Sequence, residues 1–294
     1  MFAQFFGSYL LNNKAVSNED LLEAISRLKK ARIKLGTLAM HRGFMTAKEI
    51  DEVCMMQSRE DKRFGEIAIA RDYLTDSQVE ELLKAQNPDY LLLGQILVDM
   101  NVLTNAQLEE LFLKYQNETE IYDMDMESQA NFDQLMKKFL LVSERQMPTE
   151  LVDYLKLFFN NLLRFVGEDF MPMSPVPSSE FPVNYAVEQQ ISGDVKKKTF
   201  IDMSKETAVI FASRFAKMEF KEFDEYVKAS IEDFLNLNNG LYGVNISNNY
   251  SKEIALNPPT VVDKDILELP KDSYVIPFAY PFGTIHLILM GNKQ

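Results

Sequence analysis

The sequence predicts an α+β protein overall, with an N-terminal all-α domain of four 29-residue helix-pair repeats and a C-terminal α+β domain that has an antiparallel sheet and long helices. Two observations predict this. An apolar–glycine pair recurs at a constant step through the first 116 residues. From Pro148 onward, segments typical of strands and of helices are grouped separately along the chain. The predicted segments are 1–117, an acidic linker and connecting helix at 118–147, and 148–294.

The periodic region is recognised by three features that recur at the same spacing. The apolar–glycine pairs are Phe6-Gly7, Leu35-Gly36, Phe64-Gly65 and Leu93-Gly94. Seven residues after each glycine stands Lys14, Gly43, Asp72 or Asn101, and three of these four are residue types that tolerate a left-handed turn. Ten residues after each glycine stands Ser17, Thr46, Thr75 or Thr104, followed three positions later by Asp20, Glu49, Gln78 or Gln107. This is the spacing of a capping box, so each unit is predicted to be a short helix, a tight turn and an amphipathic helix. Because one unit cannot bury its apolar stripe alone, we expect neighbouring units to stack.

The glycines of these units have two interpretations, close helix packing or a ligand site. Lys34-Leu35-Gly36, with Gly43, Ile50, Cys54 and Gln57 after it, resembles the N-terminal module of secretion and pilus ATPases of the GspE and MshE type. Arg63-Phe64-Gly65 is similar to a second copy. Paired copies of this module bind cyclic di-GMP in some members, so the resemblance implies a site at Lys34, Gly36, Arg63 and Gly65. Only Arg63 supplies the family's arginine, since a lysine lacks the planar fork. Protein docking is the other role that these units could have.

Composition excludes several classes of protein. The chain has 294 residues, a net charge of −13, one cysteine and two histidines. This charge opposes nucleic-acid phosphates and anionic lipids, so neither nucleic acid nor membrane is an expected partner. The lone Cys54 and the distant His41 and His286 predict no metal site. No signal peptide and no stretch of about 18 apolar residues is found, which predicts a cytoplasmic protein. A glycine-rich Walker loop is absent from the sequence, which excludes a secretion ATPase.

An acidic run marks the junction between the two halves. Its members are Glu118, Glu120, Asp123, Asp125 and Glu127. The run lacks the glycine and the terminal glutamate of a calcium-binding EF-hand loop, so a solvated linker is predicted. A helix over about 130–144 is expected to follow.

The rear half is predicted to begin with a helix from Thr149 that ends near Gly167, followed by a loop over 171–177. Further helices are predicted at 205–216 and 223–237. Strands are predicted at 183–188, 197–202, 244–246, 274–278 and 284–290. The asparagine-rich stretch from Asn236 to Asn249 is interpreted mainly as turn and cap chemistry.

Two short motifs in this half carry a second resemblance. Asp233-Phe234-Leu235-Asn236 lies in a predicted helix, and Asn257-Pro258-Pro259-Thr260-Val261-Val262 follows it. Together with the order of elements, they resemble the CheX-like chemotaxis phosphatase domains over about 148–291. The resemblance implies that a phosphorylated receiver-domain response regulator is the partner, with Asn236 orienting a water and Asp233 docking against a receiver lysine. It also implies that Mg²⁺ lies on the receiver, that this chain binds no cofactor, and that the protein forms a homodimer.

The spacing of the pair fits that chemistry. Residues at i and i+3 share one helix face, so Asp233 and Asn236 are expected to point together at a partner while Phe234 and Leu235 turn toward the core. The family usually has glutamate at the first position, and Asp233 is one methylene shorter. The predicted function is therefore a phosphatase of receiver aspartyl phosphate. The alternatives are a non-catalytic response-regulator-binding adaptor, responsive to cyclic di-GMP through its N-terminal units, and a merely solvated helix face.

Overall fold

A computed structural model describes residues 2–84, 89–119, 149–175 and 178–291. The chain divides into two compact units, 1–135 and 136–294. The first is helical and the second combines an antiparallel sheet with long helices, which confirms the predicted α+β class. The predicted acidic linker and connecting helix lie almost wholly outside the described residues. No helix in the described part of the chain is both long enough and apolar enough to cross a membrane.

The N-terminal unit consists of four helix pairs in its described residues. They are α1 (Phe2–Asn12) and α2 (Asn18–Arg27), α3 (Leu35–His41) and α4 (Ala47–Gln57), α5 (Phe64–Ala70) and α6 (Asp76–Lys84), and α7 (Asp89–Asp99) and α8 (Asn105–Thr119). A short 3₁₀ turn, Leu28–Lys30, extends the first pair.

The turns inside these pairs have the predicted conformation. The four residues seven positions after the glycines all have positive φ: Lys14 (55°), Gly43 (69°), Asp72 (58°) and Asn101 (59°). The predicted caps also form. Thr46 Oγ1 accepts a hydrogen bond from the backbone N–H of Glu49, and Thr104 Oγ1 accepts one from that of Gln107 at 3.2 Å. These local interactions begin and end the helices independently of the rest of the fold.

The packing between pairs departs from the expected order. The second pair packs on the third, as expected, but α1 and α2 of the first pair pack mainly on α7 of the fourth. An aromatic cluster explains this arrangement, because Phe6 of α1 lies 5.6 Å from Tyr90 and 5.4 Å from Phe112, measured between ring centroids. The fourth pair also contacts α3 and α4. The prediction that sequence neighbours stack is therefore wrong for the first pair, whose apolar surface is covered by the fourth.

The described residues of the C-terminal unit form three long helices. Helix α9 (Thr149–Asn161) continues as a π-helical turn, Leu162–Val166, and stops at Gly167, whose φ of 133° favours glycine. Helix α10 (Lys205–Ala216) has the predicted bounds. Helix α11 (Glu225–Tyr250) is 26 residues long and continues well past the predicted end at 237.

The sheet of this unit is antiparallel throughout. Its strands are β1 (Met171–Pro172), β3 (Tyr185–Gly193), β4 (Lys197–Met203), β5 (Ile254–Leu256), β6 (Thr260–Val261), β8 (Ser273–Tyr280) and β9 (Gly283–Gly291). The order is β1-β8-β9-β4-β3-β5, and β6 also pairs with β3. A separate ribbon joins β2 (Glu180–Pro182) to β7 (Ile266–Glu268). The four long strands confirm the predicted strands around 183–202 and 274–290.

The two faces of the sheet are covered by different elements. On one face, Thr199 of β4 lies within hydrogen-bond distance of α11. On the other face, Phe200, Ile288 and Val275 form a core with Phe181 and Leu267 of the β2–β7 ribbon. This alternation follows from the two-residue period of a strand.

Three local predictions in this unit differ from the structure. The predicted strand at 244–246 lies inside α11, and Asn238 and Asn239 are buried in that helix and not in a turn. Asparagine favours turns because its side chain competes for backbone hydrogen bonds, but here the side chains are bonded to other elements. The predicted loop at 171–177 begins with the two-residue strand β1, which pairs with β8.

Candidate functional site

Helix α11 carries the predicted Asp233–Asn236 pair and is fixed at its start by a cap. The Asp224 Oδ1 atom accepts hydrogen bonds from the backbone N–H groups of Tyr226 at 3.0 Å and Val227 at 2.9 Å. Phe234 and Leu235 are fully buried. The ring of Phe234 packs nearly perpendicular to that of Phe158 of α9, with ring centroids 5.7 Å apart. These contacts fix the rotation of α11 about its axis.

The rotation places the predicted pair on the surface. Asp233 and Asn236 are both exposed, while the two residues between them are buried. This confirms the predicted orientation of the four-residue motif. The two polar side chains lie one helical turn apart on one exposed face.

Asp233 lies in an acidic part of the helix. None of the ion pairs formed among the described residues involves its carboxylate. The neighbouring Glu232 is partly buried, and this burial, followed by the charges of Asp233 and Glu225, raises the pKa of Glu232. Of the two adjacent acids, Asp233 is therefore the one exposed to meet a cationic partner group.

Asn236 is anchored from the sheet by a residue that the sequence did not single out. Gln189 of β3 donates from Nε2 to Asn236 Oδ1 at 2.7 Å and to the backbone carbonyl of Asn257 at 2.8 Å. Gln189 is 1% exposed. It therefore joins the two segments that carry the sequence resemblance, the helical pair and the Asn257-Pro258-Pro259 segment. In the sequence, Gln189 directly follows the predicted strand 183–188, and extending the two-residue period of that strand by one position would have placed it on the same face as Tyr185 and Val187.

A buried polar network supports Gln189 in turn. Asn239 donates from Nδ2 to Gln189 Oε1 at 2.7 Å and to Thr199 Oγ1 at 2.8 Å. The hydroxyl of Tyr154 donates to Asn239 Oδ1 at 2.6 Å. Burial raises the pKa of the Tyr154 hydroxyl well above its ordinary value, so this group stays a neutral donor. The network connects α9, β3, β4 and α11.

Apolar side chains continue the exposed face beyond the pair. Leu237, Leu241 and Val244 are 37%, 38% and 56% exposed. Their spacing of four and three residues places them along one side of the helix. Beside them, Gly240 and Gly243 line a groove of about 370 Å³ between α11 and β5. The surface around the pair is therefore part polar and part apolar, as in many protein interfaces.

Gly36 and Gly65, two of the residues predicted to bind cyclic di-GMP, lie at the contact between the second and third helix pairs. A Cβ atom added at Gly36 would lie 3.0 Å from Phe64, and one added at Gly65 would lie 3.3 Å from Leu35. The apolar residue before each glycine thus packs against the other glycine. These two glycines serve close packing, which was one of the two interpretations.

The two cations of that assignment have different surroundings. Lys34 is exposed, and its Nζ lies 2.6 Å from Asp99 Oδ1. Arg63 is exposed at the start of α5, where its backbone N–H donates to Glu66 Oε2 at 2.9 Å. Binding of cyclic di-GMP at Lys34, Gly36, Arg63 and Gly65 stays a prediction.

Comparisons with known proteins give matches to solved structures alone. No protein-family model matches the chain, and no curated protein matches it. A CheX–CheY–BeF₃–Mg²⁺ complex from Borrelia burgdorferi matches with 17% identity and a TM-score of 0.41, over 49% of this chain and 98% of that one. CheX from Desulfovibrio desulfuricans matches with 14% identity and a TM-score of 0.43, over 49% and 100%. CheX from Vibrio vulnificus matches with 12% identity and a TM-score of 0.43, over 49% and 100%.

Proposed function

We propose that the C-terminal unit is a phosphatase that removes the phosphoryl group from a receiver-domain aspartate in chemotaxis-type signalling. The observation that carries the proposal is the geometry of α11. Asp233 and Asn236 are exposed together on one face, and the buried Gln189 of β3 donates a hydrogen bond to Asn236 Oδ1. An exposed polar pair on an ordinary solvated helix face has no need of such an anchor.

The reaction is the hydrolysis of an acyl phosphate. Water attacks the phosphorus in line with the bond to the aspartate oxygen, that P–O bond breaks, and the electron pair stays on the aspartate carboxylate. Both protons of the water leave with the product, which is dihydrogen phosphate. Mg²⁺ and a lysine already neutralise charge within the receiver, so the contribution required of this chain is to position the water.

Two residues share that work in the proposal. Asn236 Oδ1 already accepts a hydrogen bond from Gln189, so the Nδ2 donors of this amide are the groups that can hold a water next to the phosphorus. The exposed carboxylate of Asp233 meets the receiver lysine and sets the position of Asn236 relative to the phosphoryl group. Asp233 thus contributes chiefly to docking, and Asn236 to the rate of the bound complex.

The test is dephosphorylation of a panel of receiver domains from the source organism, each phosphorylated with a small phosphodonor. We expect the wild type to accelerate loss of phosphate from at least one receiver. Asn236→Ala should slow that rate by about 100-fold while binding is retained, because the water loses its orienting group. Asn249→Ala removes an exposed asparagine farther along the same helix and should have no effect. Equal rates for Asn236→Ala and the wild type would contradict the proposal.

A non-catalytic adaptor is the second candidate, and the exposed stripe of Leu237, Leu241 and Val244 favours it. These side chains would be buried by any partner that docks on this face, whether or not hydrolysis follows. Receivers that bind without faster loss of phosphate would support the adaptor. In that case substitution of Leu241 should weaken binding and Asn236→Ala should leave it unchanged.

A further inference from the structure

Gln189 occupies an unusual position for a polar side chain. It lies in the middle of β3, is 1% exposed, and uses every donor and acceptor of its side-chain amide. Its two N–H groups go to Asn236 Oδ1 and to the carbonyl of Asn257, and its oxygen accepts from Asn239. A single buried side chain therefore connects the exposed candidate catalytic residue to the interior.

The direction of these hydrogen bonds is determined by one group. The backbone carbonyl of Asn257 can only accept, so the Gln189 atom that faces it is Nε2. The same Nε2 faces Asn236, so the asparagine atom in that contact is Oδ1. The opposite end of the Gln189 amide is then the acceptor, and it matches the Nδ2 donor of Asn239. Every step follows from the chemistry of a carbonyl oxygen.

The remainder of the network keeps Gln189 in place. Asn239 is fully buried and is held by Thr199 and Tyr154, which are also fully buried. Buried polar groups that are all satisfied form a rigid network, because breaking one bond leaves a desolvated group without a partner. By contrast, the terminal torsion of an exposed asparagine has a broad, shallow preference.

We propose that Gln189 is a positioning residue for Asn236, and that it holds Oδ1 toward the sheet so that the Nδ2 donors face the bound partner. Among the described residues, none accepts a hydrogen bond from Asn236 Nδ2. The group offered to a water or to a phosphoryl oxygen is therefore a donor of fixed orientation. The catalytic part of this inference rests on the proposed function, whereas the orientation of the amide does not.

The variant that tests this is Gln189→Met, which keeps the length of the side chain and removes all three hydrogen bonds. The matched control is Asn238→Leu. It removes a different buried amide contact on the same helix, the 2.8 Å hydrogen bond from Asn161 to Asn238 Oδ1, which does not reach Asn236. A second variant, Tyr154→Phe, loosens the network from its far end and removes a single hydroxyl, so it preserves the fold if Gln189→Met does not.

The first measurement is ¹⁵N relaxation of the Asn236 side-chain amide in the full chain, with its signal assigned through Asn236→Ala. We expect the order of this amide to fall in Gln189→Met, to fall less in Tyr154→Phe, and to be unchanged in Asn238→Leu. Equal order in the wild type, Gln189→Met and Tyr154→Phe would overturn the inference. This measurement needs no receiver, so it decides the role of Gln189 even if the phosphatase proposal fails.

The second measurement separates kcat from KM in dephosphorylation of an active receiver. If the Asn236 amide loses its fixed orientation, kcat of Gln189→Met should fall roughly 10-fold. KM should stay unchanged, since Asp233 and the exposed apolar side chains of α11 still dock the partner. Asn238→Leu should keep the wild-type kcat. A fall in kcat that is equal in both variants would assign Gln189 a merely structural role and overturn the inference.

Discussion

The two units of this protein each contain a short motif that suggested a ligand or a substrate, and the two motifs have different surroundings. In the N-terminal unit, Gly36 and Gly65 face the side chains of Phe64 and Leu35. In the C-terminal unit, Asp233 and Asn236 face solvent. Motif spacing alone did not distinguish these cases, because spacing along the chain does not show whether another element covers the residues of the motif. What distinguishes them is whether another element of the same unit occupies that face.

The buried polar groups differ between the units as well. In the C-terminal network the side-chain groups are amides and hydroxyls, which do not change charge in mild acid. In the N-terminal unit, His41 Nε2 lies 2.5 Å from the Tyr90 hydroxyl and 2.8 Å from Gln116 Nε2. Burial, with the charge of Arg42, lowers the pKa of His41 to about 4. Mild acid should therefore act on the N-terminal unit through a group that the C-terminal network lacks.

The largest stability effect that we predict follows from this histidine. The unfolded state binds a proton at His41 below about pH 6.5, whereas the folded state resists it down to about pH 4. Stability is therefore lost as the pH falls through that window, by roughly 2–3 kcal/mol. Urea unfolding followed by circular dichroism at about pH 7.5 and about pH 4.5 measures the loss.

The control for this prediction is His41→Gln, which keeps a hydrogen-bonding side chain that does not titrate. Between the two pH values the wild type should lose about 2–3 kcal/mol more stability than His41→Gln, because carboxyl groups elsewhere contribute equally to both proteins. The same loss of stability in both proteins would assign the acid sensitivity to other groups.

A pair of glycine substitutions sharpens the comparison between packed and open helix faces. A Cβ atom at Gly94 of α7 would lie 2.6 Å from Leu108 and 2.9 Å from Phe112, whereas one at Gly240 of α11 would have no atom within 4 Å. Gly94→Ala should destabilise the protein by about 1–2 kcal/mol through overpacking. Gly240→Ala should stabilise it by about 0.5–1 kcal/mol, because alanine restricts the unfolded chain.

Both glycine variants are measured by the free energy of unfolding in urea. Opposite signs would confirm that the N-terminal glycines are required for packing. A stabilising Gly94→Ala would show that the contact between α7 and α8 tolerates a methyl group, and would weaken the packing interpretation for Gly36 and Gly65.

The smallest predicted effect concerns Asp233, which is one methylene shorter than the glutamate in the CheX-like motif that the pair resembles. In the proposed docking role, Asp233→Glu gives the carboxylate a longer reach and should lower the receiver concentration needed for half-maximal binding by about 3-fold, a typical gain for an exposed ion pair. Asp233→Asn should raise that concentration. Fluorescence titration of a labelled receiver measures both, and equal affinity for all three proteins would exclude Asp233 from docking.

The predictable parts of the fold are those with local causes. The capping positions, the left-handed residues Asp72 and Asn101, and the bounds of α10 all follow from interactions within a few residues. The exposure of Asp233 and Asn236 followed from the helical period together with the apolar residues between them. These predictions needed no knowledge of which elements would meet.

The errors arose where distant residues decide the outcome. Asn238, Asn239 and Gly240 have low helix propensity, so the end of a helix was predicted near them. In the structure, Asn161 and Tyr154 of α9 bond to the two asparagines, and the helix continues for ten residues beyond Gly240. Likewise, the packing of the first helix pair on the fourth depends on an aromatic cluster whose members are about 80 to 110 residues apart in the chain.

The sequence by itself determined the helix pairs with their caps and turns, the α+β class, and the face of α11 that carries Asp233 and Asn236. Tertiary structure alone decided that Gln189 anchors Asn236 and that Asn239 is part of a buried network. It also decided that the side chain of Phe64 occupies the space beside Gly36, and that of Leu35 the space beside Gly65. The physical reason is the distance along the chain over which each interaction acts. Helix periodicity and capping act over three or four residues, whereas a buried amide is stable only where distant donors and acceptors satisfy it.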